Sequence, residues 1–132
     1  YEFPMVDRDP LPQWTFGRVT LLGDAAHPMY PIGSNGASQA ILDADALGRV
    51  IEGQPDAELA LKEYEALRLD ATANIVLTNR QNGPEQVMQI VEDRAPNGFD
   101  NLDDVISYEE LSEIANKYKQ IAGFDKESLN SK

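Results

Sequence analysis

The sequence predicts a mainly α-helical chain with a single β-strand near its start. Apolar residues recur at helical spacing through most of residues 36–122, whereas only the short run 18–23 has the β-branched and apolar character of a buried strand. Most of the glycine and proline lies in residues 1–54, where it marks loops. Because a lone strand cannot satisfy its backbone groups, its partner strands are expected outside this chain.

The first two predicted helices account for the middle of the chain. The first spans residues 36–52, and Gly53 is placed to stop it. The second begins at Pro55, because proline is favoured in the first helical turn, and it runs to about residue 81. The Asn-Gly pair at 82–83 is expected to end it.

Two further helices are predicted towards the end of the chain. The third spans residues 84–94. Ser107 and Glu110 have the spacing of a capping box, in which each side chain satisfies the other residue's backbone N–H group. The last helix therefore begins after Ser107, runs to residue 122 and is closed by Gly123.

Composition limits the class of protein. The 132 residues carry 11 Lys and Arg against 23 Asp and Glu, a net charge of −12, which argues against binding to nucleic acid or to an anionic membrane. With no cysteine and one histidine, neither a disulfide framework nor an ordinary zinc cluster is expected. No apolar run has the length of a membrane span, so we expect a cytoplasmic protein.

The chain divides into two regions of different texture. Residues 1–53 hold the predicted strand, loop and first helix, whereas residues 54–132 are helix-rich. The chain opens at Tyr1, with no initiator methionine, and enters at once into loop-like sequence. We therefore expect it to be a piece of a larger protein.

Residues 23–40 have the pattern of a ligand site at a strand-to-helix junction. Asp24 follows the predicted strand, where a carboxylate can accept hydrogen bonds from ligand hydroxyl groups. The first helical N–H groups, at Gly36, Ala37 and Ser38, have no internal partner and favour a negatively charged oxygen. Spacing alone leaves open the alternative that Asp24 is a turn residue and Gly36 an ordinary helix start.

A longer motif covers the same stretch of the chain. Its residues are Gly23-Asp24-Ala25-Ala26-His27-Pro28, Pro31, Gly33, Gly36, Gln39-Ala40 and Asp43-Ala44-Asp45-Ala46-Leu47. This motif resembles the second flavin-binding motif of the single-component FAD-dependent aromatic hydroxylases, the p-hydroxybenzoate hydroxylase-like monooxygenases. Residues 3–10 and 36–42 are similar to the branch that contains the phenazine-1-carboxylate hydroxylases. The resemblance covers residues 1–82 well and the rest loosely.

The resemblance implies an activity for the whole protein. It implies an α/β, Rossmann-like FAD-binding monooxygenase fold, of which this chain is the C-terminal portion without the N-terminal nucleotide-binding part. In the family, NADH or NADPH reduces FAD, and O2 then forms a flavin C4a-hydroperoxide that transfers one oxygen to a small aromatic substrate. Because the cofactor carries this chemistry, no residue is assigned as a catalytic acid or base, and none as a metal ligand.

The resemblance also implies which residues bind the cofactor. The set is Asp24, Pro31, Gly33, Asn35, Gly36, Ala37 and Ser38. Asp24 matches the acid that hydrogen-bonds a hydroxyl group of the FAD ribityl chain. Pro31 places a backbone carbonyl beside the reacting edge of the flavin and the substrate. The turn 33–36 lies beneath the isoalloxazine ring, and the amides of Ala37 and Ser38 meet its pyrimidine oxygen.

Three ring-bearing side chains lie in or near the motif. The resemblance implies that Tyr30, like Pro31, lies beside the flavin edge and near the substrate, with packing within the loop as the alternative for Tyr30. His27 is expected to pack or cap at the loop without contacting substrate, although a histidine also suits proton transfer near neutral pH. Trp14 is expected to be a lid or core residue, with a place in the substrate cavity as the alternative.

The sequence also departs from the family pattern. No Gly-x-Gly-x-x-Gly follows a strand anywhere in the 132 residues, so the chain alone is expected to bind FAD weakly or not at all. Uncovered apolar faces are expected to let it self-associate. Two alternatives stay open: a self-contained acidic helical protein-interaction module without enzymatic activity, and a related flavoenzyme such as an epoxidase, halogenase or reductase.

Overall fold

The computed structural model describes residues 4–81 and 83–124, and it is mainly helical. Its α-helices are α1 (Gly36–Gly53), α2 (Ala57–Asn79), α3 (Gln86–Arg94) and α4 (Tyr108–Ala122). Short 3-10 turns occur at Gly23–Ala25, Ile32–Ser34, Gly83–Glu85 and Leu102–Asp104. The chain forms two compact units, Tyr1–Arg80 and Gln81–Lys132.

The predicted strand at 18–23 is wrong for the described part of the chain, which contains no strand. Instead, Phe16 and Val19 form one isolated antiparallel bridge, with N···O distances of 2.8 and 3.2 Å. Gly17, with a φ of 60°, makes the turn between them. A strand needs a neighbour along its length, and residues 4–81 and 83–124 supply only this narrow hairpin.

The two long helices confirm the helical periodicity of the sequence. Helix α1 begins at Gly36 as predicted and includes Gly53, after which Gln54 is extended. Helix α2 begins slightly later than predicted, because the Asp56 side chain caps it by accepting hydrogen bonds from the N–H groups of Glu58 and Leu59. It ends at Asn79, and residue 82 of the expected stop lies outside the described residues.

Helices α1 and α2 pack against each other and cover the preceding loop. The buried core of this first unit consists of Trp14, Ala26, Ala46, Val50, Ala60 and Tyr64. The Trp14 ring lies 5.9 Å from the Tyr64 ring and 5.6 Å from the His27 ring, measured between centroids. Trp14 is only 2% exposed, which confirms it as a core residue and fixes the hairpin against the helix pair.

Ion pairs and charged hydrogen bonds fasten the first described residues to the same unit. The Arg80 guanidinium donates to the carboxylates of Asp7 and Asp9 at 2.6 and 2.7 Å. Arg8 donates to the backbone carbonyl of Ala25 at 2.7 Å, within the motif of residues 23–28. The entering segment is therefore held at the end of α2 and at the loop.

The second unit contains α3 and α4. The Ser107 hydroxyl accepts a hydrogen bond from the Glu110 N–H at 3.2 Å, and Gly123 closes α4 with a φ of 73°, as predicted. The second half of the capping box is wrong, because the Glu110 carboxylate accepts hydrogen bonds from Arg94 at 2.6 and 2.9 Å. This bidentate ion pair joins α3 to α4 and lowers the pKa of Glu110.

Several large apolar side chains are exposed on the first unit. They include Phe16 and Val19 of the hairpin and Ile41 of α1, which is 70% exposed. The prediction of uncovered apolar faces is therefore confirmed at Val19, in the run predicted as a strand, and at Ile41 of the first helix. None of the described helices has the length and apolar character needed to cross a membrane.

Glu65 of α2 binds the backbone at the start of the hairpin. Its Oε2 atom accepts hydrogen bonds from the N–H groups of Trp14 and Thr15 at 2.6 and 2.5 Å. We predict that Glu65→Ala lowers the free energy of unfolding by about 2 kcal/mol, because two partly buried N–H groups lose a charged acceptor. Urea denaturation measures the change, and Glu63→Ala, at an exposed position of the same helix, is the control. Equal effects of the two substitutions would contradict this role.

Candidate functional site

The loop before α1 consists of two tight turns. In the first, the N–H groups of Ala26 and His27 both donate to the Gly23 carbonyl at 2.9 Å, and Gly23 has a φ of 59°. In the second, the Ser34 N–H donates to the Pro31 carbonyl at 3.1 Å. Gly33 has a φ of 71°, a left-handed conformation that glycine adopts without strain, and its neighbour Ser34 has a φ of 53°.

The second turn delivers the chain directly into the start of α1. Asn35 precedes the helix and is buried, and its carbonyl accepts the first helical hydrogen bond, from the Gln39 N–H at 2.9 Å. Its side chain does not cap the helix, and the first turn of α1 holds no acidic residue. The N–H groups of Gly36, Ala37 and Ser38 therefore point outward with the positive end of the helix dipole.

The structure brings Asp24 to this helix start. Asp24 lies in the first turn and is exposed. A Cβ atom built at Gly36 would lie 3.9 Å from Asp24 Oδ1 and 3.8 Å from Met29 Cγ. The Asp24 carboxylate, an acceptor, thus lies close to the N–H donors at the start of α1, and no side chain at Gly36 separates them. A ligand that has both hydroxyl groups and an electron-rich carbonyl edge can bind there.

Of the two residues predicted near the substrate, Tyr30 lies between the turns and Pro31 begins the second turn. Pro31 is exposed, and its carbonyl oxygen has a second lone pair beyond the one that Ser34 uses. Tyr30 is half-buried, and its carbonyl accepts a hydrogen bond from the Asn79 side-chain amide at 3.4 Å. The end of α2 therefore holds this part of the loop in place.

A buried carboxylate, that of Asp43 on α1, binds the loop that carries the site. It has no exposed surface, and its Oδ2 atom accepts hydrogen bonds from His27 Nε2 at 2.6 Å and from the Gly23 N–H at 3.1 Å. Its Oδ1 atom accepts from Arg68 Nε at 2.7 Å, and Arg68 Nη2 donates to Gln39 Oε1 at 2.6 Å. One carboxylate thus joins the loop, α1 and α2.

Hydrogen bonding decides the charge state of Asp43. Burial alone would raise the pKa of Asp43, because it disfavours the charged form. The hydrogen bonds from His27, Arg68 and Gly23 outweigh burial, so the pKa lies below the ordinary value of 3.8. Burial and the nearby Asp43 charge raise the pKa of Tyr64, whose hydroxyl donates to the Leu21 carbonyl at 3.3 Å.

His27 packs inside the loop, as predicted. It is 4% exposed, lies against Trp14 and binds Asp43, while its buried Nδ1 atom has no hydrogen-bond partner among the described residues. Sequence reasoning included Asp43 in the flavin-binding motif without giving it a role, and it assigned no role to Arg68. A signal was available, since a glutamine and an acid four residues apart share one face of a helix that is otherwise apolar there.

Comparison with known sequences identifies the family. A family profile described as an FAD binding domain matches residues 6–79, which include the hairpin, the loop, α1 and α2. The chain belongs to this family. The match ends at the last residue of α2, so the FAD binding domain family accounts for the first compact unit.

The similar proteins include hydroxylases and a monooxygenase named for aromatic compounds. The chain is 61% identical over 79 residues to the phenazine 1,6-dicarboxylic acid hydroxylase PhzS of Lysobacter antibioticus, covering 60% of this chain and 19% of that one. It is 49% identical over 78 residues to 3-hydroxybenzoate 6-hydroxylase 2 of Aquipseudomonas alcaligenes, covering 58% and 24%. It is 41% identical over 83 residues to 6-hydroxynicotinate 3-monooxygenase of Bordetella bronchiseptica, covering 61% and 22%. The chain thus spans about a fifth to a quarter of the length of these relatives.

The lowered pKa of Asp43 predicts how stability depends on pH. The carboxylate contributes its full stabilisation above the unfolded-state pKa near 3.8, and this stabilisation is lost as the pH falls through the lower folded-state value. The free energy of unfolding should therefore fall on acidification below about pH 4, and fall less steeply in Asp43→Asn. Urea denaturation at successive pH values measures both slopes, and equal slopes would contradict the prediction.

Proposed function

We propose that this chain carries the flavin-end contacts of an FAD-dependent, NAD(P)H-using monooxygenase that hydroxylates a small aromatic substrate. The observation that carries the proposal is the placement of the Asp24 carboxylate beside the uncapped start of α1, within residues that match the FAD binding domain family. In the complete protein this unit completes an α/β, Rossmann-like FAD-binding fold. The FAD binding domain family and the activities of its relatives favour an enzyme over an interaction module.

The residues of the loop and of α1 fit the flavin end of FAD. Asp24 is an exposed acceptor for a ribityl hydroxyl group, and a charged acceptor makes such a hydrogen bond strong. The amides of Ala37 and Ser38 would face the pyrimidine oxygen, where the reduced flavin carries negative charge that the helix dipole stabilises. The left-handed Gly33 and the missing side chain at Gly36 let the backbone approach the ring.

The division of labour between cofactor and protein follows from this arrangement. FAD, when bound, supplies the redox chemistry by which NAD(P)H and O2 hydroxylate an aromatic ring. The chain's own residues bind and orient: Asp24 and the α1 amides hold the flavin, and Tyr30 and the carbonyl of Pro31 border the substrate. No side chain is required as a general acid or base in this proposal.

The relatives suggest the chemical class of the substrate. Three of them are named for work on a phenazine dicarboxylic acid, on 3-hydroxybenzoate and on 6-hydroxynicotinate, which are all aromatic acids. We extend this class to the present protein as part of the proposal. The 132-residue chain by itself, with only the flavin-end contacts, is expected to hold FAD weakly or not at all and to be inactive.

Asp24→Asn tests the proposal in the protein expressed from its complete reading frame. We predict that this protein purifies with FAD and that Asp24→Asn weakens FAD binding about tenfold or more, because an amide replaces a charged acceptor. Fluorescence titration of the apoprotein measures the dissociation constant. Asp45→Asn is the matched control, since Asp45 is an exposed acid of α1 that forms an ion pair with Arg49, four residues along the helix.

The same preparation tests the reaction. Aromatic acids should accelerate NAD(P)H oxidation, and mass spectrometry should find a product that has gained one oxygen atom. Halide-dependent halogenation, or oxidation of NAD(P)H without any oxygenated product, would assign the protein to a different flavoenzyme class. A protein that binds no FAD, or an Asp24→Asn variant that binds it as well as the wild type, would contradict the proposal.

A further inference from the structure

The turn that carries Asp24 is fixed at both ends by one atom. Asp43 Oδ2 accepts a hydrogen bond from the Gly23 N–H at 3.1 Å and another from His27 Nε2 at 2.6 Å. Gly23 directly precedes Asp24, and His27 follows it by three residues. The residues on either side of Asp24 are therefore bound to the same carboxylate, Gly23 through its backbone N–H and His27 through its ring, while Asp24 itself remains exposed.

That carboxylate is in turn held on α1 by a neighbour from α2. Arg68 binds Asp43 Oδ1 at 2.7 Å and Gln39 Oε1 at 2.6 Å, so its planar guanidinium spans one turn of α1. Gln39 and Asp43 are almost completely buried, at 1% and 0% exposure. A buried carboxylate that accepts hydrogen bonds from His27, Gly23 and Arg68 has little freedom to adopt another geometry.

Close packing at Gly23 adds a second constraint. A Cβ atom built at Gly23 would lie 3.2 Å from the Ala40 Cβ on α1, so the backbone of the turn lies directly against the helix. Gly23 also has the left-handed φ of 59°, which a larger residue would adopt only with strain. The turn cannot move towards α1, and the bonds to Asp43 prevent it from moving away.

We propose that Asp43 is a positioning residue for the flavin, which fixes the Asp24 carboxylate relative to the first-turn amides of α1 by binding Gly23 and His27. The proposal rests on the proposed function, because Asp24 and these amides are the flavin contacts there. Asp43 itself is buried and touches neither cofactor nor substrate. Its effect on the flavin therefore passes through the position of Asp24.

The charge of Asp43 matters because it has three donors to satisfy. An asparagine at this position offers one oxygen, and its NH2 group would face a donor from His27, Gly23 or Arg68. At least one of these hydrogen bonds is then lost, and the turn is free to shift. The side chains have nearly the same size, so Asp43→Asn alters the hydrogen bonding while changing the packed volume little.

A double-mutant cycle on FAD affinity tests the proposal in the protein expressed from its complete reading frame. Asp43→Asn, Asp24→Asn and the double variant are compared with the wild type, with Asp45→Asn as the exposed control on the same helix. We expect each single change at 43 or 24 to weaken FAD binding about tenfold. The double variant should be little weaker than Asp24→Asn alone, because Asp43 acts through Asp24.

The outcomes separate this inference from the proposed function. If the effects of Asp43→Asn and Asp24→Asn multiply, Asp43 is a structural residue that does not act through Asp24, and the inference is overturned while the flavin site stands. If Asp24→Asn leaves FAD affinity unchanged, the proposed function fails and the inference falls with it. Wild-type FAD affinity in the Asp43→Asn variant would also overturn the inference, and so would a loss of affinity in Asp45→Asn as large as that in Asp43→Asn.

A second variant replaces Asp43→Asn in the test if that protein does not fold, which the absence of a cooperative unfolding transition would show. Arg68→Lys keeps the positive charge near Asp43 but cannot bind Asp43 and Gln39 together, because an ammonium group lacks the planar fork of a guanidinium. It should give the same non-additive pattern with Asp24→Asn and a smaller single effect. Additive behaviour of Arg68→Lys with Asp24→Asn would overturn the inference in the same way.

Discussion

The buried carboxylate of Asp43 is the interaction on which the first compact unit depends. Its three donors come from a turn of the loop, from the ring of His27 and from α2, and it lies on α1 itself. An ionised group without exposed surface is tolerated only when such partners replace water, which is why the pKa of Asp43 falls despite burial. Removing Asp43 would leave its three donors without this acceptor, and removing one donor would leave the buried charge less well compensated.

This buried network fixes the chain segments that carry the proposed flavin contacts. Asp24, Gly36 and the amides after Gly36 are exposed or half-buried, and the chain segments that carry them are fixed from the protein side by Asp43, by the Arg68 bridge and by the Asn79 contact to the loop. Trp14 and Glu65 hold the hairpin against α2 in the same unit. The exposed groups therefore have their binding geometry before a ligand arrives, which is what a preorganised binding site requires.

Local signals in the sequence were enough for the helices and for the loop, but not for long-range pairings. The helical spacing of apolar residues predicted α1 and α2, and Gly123 predicted the end of α4, because these features depend on residues close in sequence. The strand failed because strand formation depends on a partner that periodicity cannot supply. Helix packing decides the ion pair between Asp43 and Arg68, which are 25 residues apart, and the ion pair between Glu110 and Arg94. A local sequence pattern does not predict such pairs.

Hydrogen–deuterium exchange of the protein expressed from its complete reading frame tests the central claim most directly. The amides of Gly36, Ala37 and Ser38 lack internal helical partners and should exchange quickly in the apoprotein. The account predicts that FAD slows exchange at these amides and in the turn around Asp24. Protection by FAD elsewhere in the protein, with unchanged exchange in residues 23–38, would contradict the assignment of this junction to the flavin.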